Sequence, residues 1–476
     1  MTVKSTPTKQ EMELELLPFE KFFRAYVGFF WFYKTAPAAT AEEMRDALQR
    51  GVDATTAATP VLAGVLREER NEDRDRVYVG YNEKSSNDSD GLAGVRVDLG
   101  CCTDTSYADI SASGFDQNAL REQLFVDQTL RLAEMPGIDG VPVLRVMLRW
   151  LSDGGCVVGV LCHHVLADAA ATFYVAQTIA YHSSSLPSSP DSSRLLPLEP
   201  SRKNLSRILA AHPPKPIPAV QQVRSIFGSQ SQQPGARNPV LVLDPAVSAE
   251  PMRRYQARVT AQSIGQLKGL AIADSQCVSC SSNALVMALM WRAWTRMLQA
   301  RGSRSPHAYL GWPVDLRRKV EQANTTDPHY YLGNLFLPCL AHASTGFVLT
   351  ESLPAVAAFV AGVTETASVG QLRAFQDSVA AGEADVRAML EQTSDAPSLS
   401  FSNMTRLGLY DKAMSFATSD IAAADSVQML AIDAPAMMFA IADGAGGMLV
   451  SVVLPGSVAD AFAADPEFLQ FASFVY

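Results

Sequence analysis

The sequence lacks any apolar stretch long enough for a membrane-spanning helix, which takes about 20 residues. The longest apolar run near the start, AYVGFFWFY at residues 25–33, is much shorter and predicts a buried strand or helix of the core. Residues 1–10 are polar and lack the charged start and apolar middle of a secretory signal peptide. These absences predict a cytoplasmic protein without a membrane span.

Positive charge and cysteine are also scarce. The chain has 39 Lys and Arg against 49 Asp and Glu, a net charge of −10, so we expect no broad nucleic-acid surface. Its 7 cysteines, an odd number without a secretion signal, predict reduced thiols. Cys277 and Cys280 form a lone CxxC pair with no second pair or nearby histidine, so we expect no metal and no tightly bound cofactor.

What the chain does have is the composition of a folded globular protein, with 48% hydrophobic and 18% charged residues. A length of 476 residues exceeds what one hydrophobic core usually holds, so two domains are expected. A Ser- and Pro-rich region, which includes PPKPIP at 213–218, predicts a linker. The predicted organisation is an N-terminal domain over 1–182, a crossover linker over 183–238 and a C-terminal domain over 239–476.

Local patterns predict both helices and strands. Thr40–Gly51 has a Thr cap, an acidic first turn and a terminal glycine, which is typical of a helix. The turn at residues 152–155 separates two apolar segments, so residues 143–151 and 156–162 are predicted to form a hairpin whose second strand is buried on both faces. The remaining predictions are helices over 169–181 and 282–300 and strands over 239–243 and 448–454.

Two adjacent histidines, followed four residues later by an aspartate, form the most informative motif. His163 and His164 come where the buried strand ends and the next helix has yet to begin, a place where α/β proteins put reacting groups. A neutral imidazole, with a pKa of about 6.5, can take the proton of an attacking hydroxyl. His164 is therefore predicted to be a general base, and Asp168 to support the turn or meet a cation. The alternative is that both histidines are ordinary strand-end residues bonded to backbone carbonyls.

The motif and its flanks resemble the HHxxxDG signature of the BAHD acyltransferases, with Ala169 in place of the glycine. Further resemblances follow in family order over nearly the whole chain. They are an aromatic first strand at 29–33, PVLAGVL at 60–66, SSNALVMALMWR at 281–292, VDLR at 314–317 and YLGN at 331–334.

The resemblance implies an α/β protein of two similar-sized mixed-sheet domains, like chloramphenicol acetyltransferase, with an active-site channel at their interface. It implies transfer of an acyl group from acyl-CoA, as a co-substrate, to a small-molecule alcohol or amine, in secondary metabolism and by a monomer. His164 would be the base, Asp168 would pair with Arg317 to hold the loop in shape, and His163 would support it. Ser402 and Asn334 would contact substrate.

Two regions bear on coenzyme A. The family's DFGWG motif is replaced by AMSFA at 413–417, which removes its aspartate, both glycines and its tryptophan. Between residues 292 and 319 the only acidic residue is Asp315, whereas basic residues recur, and such a cluster can bind phosphates. The alternative is a solvated helix end with one structural arginine. The candidates for the anionic ligand are Arg292, Arg296, Arg301 and Arg304.

Two other functions are compatible with these residues. A condensation-type enzyme would share the HHxxxD motif and the two-domain shape but would take its acyl group from a carrier protein. A scaffold-like relative would keep the fold without activity, as the altered DFGWG segment suggests. The VDLR and YLGN segments favour the CoA-dependent enzyme over the first alternative. The presence of His164, Asp168 and Arg317 favours it over the second.

Overall fold

The computed structural model describes residues 12–34, 40–71, 74–82, 95–116, 118, 120, 139–184, 197–200, 202–216, 250–274, 280–323, 330–381, 398–411, 414, 416, 424–430 and 436–475. The strands of these residues are β1 (Met12–Glu15), β2 (Tyr26–Tyr33), β3 (Val65–Asn71), β4 (Arg74–Tyr81), β5 (Val97–Cys102), β6 (Leu144–Leu151), β7 (Cys156–His163), β8 (Leu198–Glu199), β9 (Met252–Val259), β10 (His307–Asp315), β11 (Tyr330–Tyr331), β12 (Phe336–Ser344), β13 (Ser398–Asn403), β14 (Ser426–Leu430), β15 (Met437–Ala442), β16 (Met448–Pro455) and β17 (Ser473–Phe474). The α-helices are α1 (Ala41–Ala58), α2 (Tyr107–Ala112), α3 (Ala169–Ser183), α4 (Arg202–Ala210), α5 (Ala261–Ala273), α6 (Ser282–Ala300), α7 (Arg317–Ala323), α8 (Thr345–Thr350), α9 (Leu353–Thr366), α10 (Val369–Ala380), α11 (Gly456–Ala463) and α12 (Pro466–Phe471).

A five-stranded sheet in the order β14-β2-β7-β6-β5 forms the core of the N-terminal half. Every residue of β2 and β7 is buried, as expected for apolar strands covered on both faces. The predicted hairpin is confirmed, because β6 and β7 pair antiparallel with Leu144 opposite Cys162. This sheet brings His163, the last residue of β7, to the point where the chain turns toward α3.

Helix α1 begins as predicted but continues past its predicted end. The Thr40 side chain accepts a hydrogen bond from the backbone N–H of Glu43, which caps the first turn. Gly51 does not end the helix, because α1 runs on to Ala58. A Cβ at Gly51 would lie 2.4 Å from the carbonyl oxygen of Ile179 in α3. The glycine therefore allows two helices to approach closely and is not a terminator.

A seven-stranded mixed sheet, in the order β12-β10-β13-β15-β16-β9-β17, forms the core of the C-terminal half. Helix α6 spans the predicted residues, and its Trp294 indole donates to the carbonyl of Ser398 in β13 at 2.8 Å. The predicted late strand over 448–454 is confirmed as β16. The predicted strand at 239–243 lies outside the described residues. Two mixed sheets with packed helices confirm the predicted α/β class.

Segments from outside the predicted N-terminal domain complete its sheet. Strand β14 pairs antiparallel with β2, with Val427 opposite Trp31. In addition, the predicted linker is not devoid of regular structure, since it contains β8 and α4, and β8 pairs with β11 at Tyr330. The division of the chain at 182 and 239 stays a prediction. Strand β14, from the C-terminal half, pairs with β2 in the N-terminal half.

Among the described residues, no single helix is long and apolar enough to cross a membrane, although the bent pair α9 and α10 passes a test of length and composition. The same residues contain no group of three or more His, Cys, Asp or Glu side chains placed to hold a metal ion. The expectation of reduced thiols is wrong for Cys280, which is disulfide-bonded. Cys277 lies outside the described residues. The free cysteines are Cys101, Cys102, Cys156, Cys162 and Cys339.

Candidate active site

His164 lies in the turn that connects β7 to α3. Its backbone N–H donates to the carbonyl of Ala25, and this bond ties the turn to the start of β2. The aromatic ring of Phe23 stacks on the imidazole, with 4.7 Å between ring centroids and 20° between planes. The His164 residue is half-buried, and its ring is held by this packing.

Asn334, which follows β11, determines the protonation pattern of this imidazole. The Asn334 Nδ2 donates to the backbone carbonyl of His164 at 2.7 Å, which fixes the orientation of the side-chain amide. Its Oδ1 then faces the His164 Nδ1 at 2.9 Å, and because an amide oxygen only accepts, Nδ1 carries the proton. The lone pair of the neutral ring is therefore on Nε2, where a general base needs it.

The surroundings of His164 favour the neutral ring. Burial lowers the pKa of His164, and the charge of Asp168 and the hydrogen bond with Asn334 oppose this effect only in part. His163 is fully buried, and burial lowers its pKa to about 3, with His164 and Arg24 contributing in the same direction. His163 packs edge-on against Tyr26, with 5.1 Å between ring centroids. It is placed to support the turn as a neutral residue.

Asp168 and Arg317 form a bidentate ion pair at the other end of the turn. The guanidinium donates to both carboxylate oxygens, at 2.9 and 3.0 Å. Asp168 also caps α3 by accepting from the backbone N–H of Ala171, and it accepts from the N–H of Leu335 at 3.1 Å. Burial lowers the pKa of Arg317, but the charge of Asp168 outweighs this, and the net pKa is raised. Arg317 therefore stays charged, and the ion pair joins the two halves of the chain.

Asn334, which was predicted to contact substrate, makes a different set of contacts in the structure. Its side chain is fully buried, and both of its polar atoms are bonded to His164. Asn334 orients the base instead. Ser402 is half-buried in β13, and no hydrogen bond joins it to His164 among the described residues; its contact with substrate stays a prediction.

A second buried ion pair, between Glu20 and Arg202, was not predicted from the sequence. The Arg202 NH2 group donates to Glu20 Oε1 at 2.8 Å, and Nε donates to Oε2 at 3.2 Å. Glu20 Oε1 also accepts from the backbone N–H of Asn334 at 3.2 Å. Neither residue belongs to a recognisable sequence motif, and Arg202 falls in the predicted linker, so local patterns gave no signal for either. The buried Glu20 side chain and the site residues lie within one hydrogen-bonded network.

Two of the predicted anion-binding arginines have a structural role. Arg292 is buried and donates to the carbonyls of Val348 and Glu351 and to the carboxylate of Glu467. Arg296 pairs with Asp465 and Glu467. Because these guanidinium groups already have carboxylate partners, we withdraw Arg292 and Arg296 as phosphate ligands. Arg301 is half-buried and Arg304 is exposed, and for both the anionic ligand stays a prediction.

Comparison with solved structures places this fold among known ones. F. graminearum TRI101 complexed with coenzyme A and deoxynivalenol matches with a TM-score of 0.74 and 16% identity, covering 98% of this chain and 100% of that one. F. sporotrichioides TRI101 complexed with coenzyme A and T-2 matches with a TM-score of 0.73 and 16% identity over the same shares. Vinorine synthase matches with a TM-score of 0.65 and 14% identity, covering 99% and 96%. At these identities the likeness concerns the fold.

The family-model match over residues 117–469, together with the fold, identifies an acyltransferase of the BAHD type. Residues 117–469 match the Transferase family, and the chain belongs to this family. No curated protein sequence matches the chain.

Proposed function

We propose that this protein transfers an acyl group from acyl-CoA to a hydroxyl or amine of a small molecule, with His164 as the general base. The observation that carries the proposal is the pairing of Nδ1 with Asn334, which leaves the lone pair of the neutral ring on Nε2. A hydroxyl is a weak nucleophile at neutral pH, and a base positioned in this way typically raises the rate about 10²–10⁴-fold.

The reaction follows from that geometry. The acceptor hydroxyl gives its proton to His164 Nε2 as its oxygen forms a bond to the thioester carbonyl carbon. The resulting tetrahedral intermediate collapses with cleavage of the carbon–sulfur bond, and the departing thiolate takes the proton back from Nε2. The products are the acylated acceptor and free CoA, and the imidazole returns to its neutral form.

The acceptor class is supported by likeness. Solved structures of the same fold hold coenzyme A together with the mycotoxins deoxynivalenol or T-2. We therefore propose a hydroxylated secondary metabolite as the acceptor, in a monomeric enzyme of the cytoplasm. The buried Asp168–Arg317 and Glu20–Arg202 pairs support an active enzyme over a scaffold, because each leaves a costly charge in the interior that an unused site does not need.

Calorimetric titration with acetyl-CoA and with free CoA tests the donor without any assumption about the acceptor. We expect saturable one-to-one binding, unchanged in a His164→Ala variant because the base does not anchor the donor. Release of free thiol is then followed with a panel of hydroxylated acceptors. Absence of binding at millimolar ligand would exclude the CoA donor and favour a carrier-protein thioester or an inactive relative.

A further inference from the structure

Four consecutive residues, 332–335, are held in place by two buried ion pairs that approach them from different parts of the chain. Arg202 donates to the carbonyl of Leu332 at 2.6 Å and Arg317 to the carbonyl of Gly333 at 2.7 Å. Glu20 and Asp168 accept from the next two backbone N–H groups, those of Asn334 and Leu335. Each pair thus supplies one donor and one acceptor to the segment that carries Asn334.

The Glu20–Arg202 pair also forms a hydrogen bond to the turn between β7 and α3, which carries His164. Besides Glu20, the Arg202 NH2 group contacts the carbonyl of Leu166 at 3.1 Å, and Leu166 is two residues after His164. Glu20 Oε2 accepts from the backbone N–H of Leu17 at 2.8 Å, which anchors the carboxylate on its own side. One guanidinium therefore bonds to both the segment of the base and the segment of Asn334.

Burying the Glu20–Arg202 pair costs desolvation free energy, and this cost is explained if the pair fixes the geometry of the neighbouring backbone groups. The Glu20 side chain is 0% exposed and that of Arg202 7% exposed. Apolar side chains of similar volume often stabilise a fold as well as a buried ion pair does. What apolar side chains lack is the set of directed hydrogen bonds that fixes the neighbouring carbonyls and N–H groups.

From these contacts we infer that Glu20 and Arg202 are positioning residues for the general base, acting by holding Asn334 so that its Oδ1 keeps the proton of His164 on Nδ1. The inference rests on the proposed role of His164. When the pair is lost, the Asn334 backbone gains freedom and Nδ1 loses a fixed acceptor. The ring then populates the other tautomer, in which Nε2 carries a proton. In that tautomer Nε2 has no lone pair with which to take the proton of the substrate hydroxyl.

Arg202→Lys tests the inference, because lysine keeps the charge but not the fork that reaches the backbone carbonyls of Leu166, Leu332 and Pro200. The matched control is Arg292→Lys, since Arg292 is also buried, pairs with a glutamate and donates to two carbonyls. We expect both variants to melt at a lower temperature. We expect Arg202→Lys alone to lower kcat, by roughly 10²-fold as for a misplaced catalytic group, with little change in CoA affinity.

A readout independent of turnover is the ¹⁵N spectrum of histidine-labelled protein, with His164 assigned by its loss in a His164→Gln variant. In the wild type His164 should be protonated at Nδ1, and in Arg202→Lys a fraction should shift to Nε2. Asn334→Ala removes the Oδ1 acceptor of the His164 Nδ1 proton, and it should also shift a fraction of His164 to the tautomer protonated at Nε2.

Lowered melting with unchanged kcat and an unchanged His164 spectrum in Arg202→Lys would overturn the inference and leave the pair a purely structural one. If Arg202→Lys does not fold, Glu20→Gln takes its place, because it keeps the size of the side chain and one acceptor oxygen. A wild-type protein without acyl transfer would overturn the proposed function, whereas the tautomer comparison would still decide the role of the pair.

Discussion

Trp31 in β2 donates its indole N–H to the backbone carbonyl of Leu409 at 2.9 Å, 378 positions further along the chain. Close by, the Tyr33 hydroxyl donates to the carbonyl of Met414 at 2.8 Å, and the ring of Phe416 packs on Trp31 with 5.3 Å between centroids. The segment that lost the DFGWG residues is thus still anchored on the N-terminal sheet. The aromatic side chains of β2 supply the contacts.

Replacing Trp31 with phenylalanine should therefore weaken the attachment of this segment. A smaller aromatic ring remains, and the buried Leu409 carbonyl loses its donor, which alone costs about 1–3 kcal/mol of unfolding free energy. The matched control is Trp312→Phe, because the buried Trp312 indole N–H has no hydrogen-bond partner within the described residues. Urea unfolding of both variants measures the difference, and equal losses would mean that the Leu409 bond contributes nothing.

The elements that were predicted well are those whose signal is local. Helix α6 spans residues 282–300 as predicted, and the hairpin of β6 and β7 follows its turn. Strand β14 was not predicted, because its partner β2 lies almost 400 residues away and a strand pattern carries no information about its partner. The end of α1 was misplaced because Gly51 serves a contact with α3, which a helix-capping rule does not foresee.

The residues of the site likewise divide into those with a local sequence signal and those without one. His163, His164 and Asp168 were found because they form one contiguous motif at a strand end. Arg317 was assigned through family resemblance, and the structure places it on Asp168. Glu20 and Arg202 have no neighbours in sequence that reveal their pairing. Only folding brings them together, against a segment that comes from the other half of the chain.

Replacing Asp168 with asparagine should lower both stability and rate. Arg317 would remain buried with a neutral partner, and breaking a buried pair in this way costs about 3–5 kcal/mol. The amide can also no longer accept from Ala171, Leu335 and the guanidinium together, so the turn around His164 should loosen. Thermal unfolding and steady-state kinetics measure the two effects.

Asp315→Asn is the control for that variant. Asp315 also contacts Arg317, at 3.1 Å, but its side chain is 51% exposed, so its loss should cost little. If the two variants melt and turn over alike, the Asp168 pair has no special role in stability or in the rate.

Folding stability should fall as the pH drops below 6.5. His163 has a pKa of about 3 in the folded protein because burial disfavours the charged ring, whereas in the unfolded chain its pKa is about 6.5. Between these values the unfolded state binds the additional proton, so stability is complete above pH 6.5 and is lost as the pH falls. The loss approaches about 1.4 kcal/mol per pH unit for this group. Urea unfolding between pH 7 and 5 should show a shallower dependence in His163→Gln, and an identical slope would contradict the assignment.

The rate should depend on pH through His164. Burial is the largest influence on this imidazole and lowers its pKa, so the acid limb of kcat/KM should lie below pH 6.5. Above this limb Nε2 is unprotonated and the rate should be level at neutral pH. Initial rates at saturating acyl-CoA and low acceptor concentration, from pH 5 to 8, locate the limb. A limb above pH 7 would show that another group controls the reaction.

His164→Ala should strongly reduce turnover while the fold is retained. The imidazole contacts Phe23 and Asn334, and the main-chain hydrogen bond from His164 to Ala25 is kept in the variant, so the turn should retain its course. The loss of the base should lower kcat by about 10²–10⁴-fold with the affinity for CoA unchanged. His307→Ala, which removes an exposed histidine at the start of β10, is the control and should turn over normally. Because the missing group is an imidazole, added imidazole should restore part of the rate in His164→Ala. Activity within a few-fold of the wild type in that variant would exclude His164 as the base, and the proton would then have to leave the acceptor by another route.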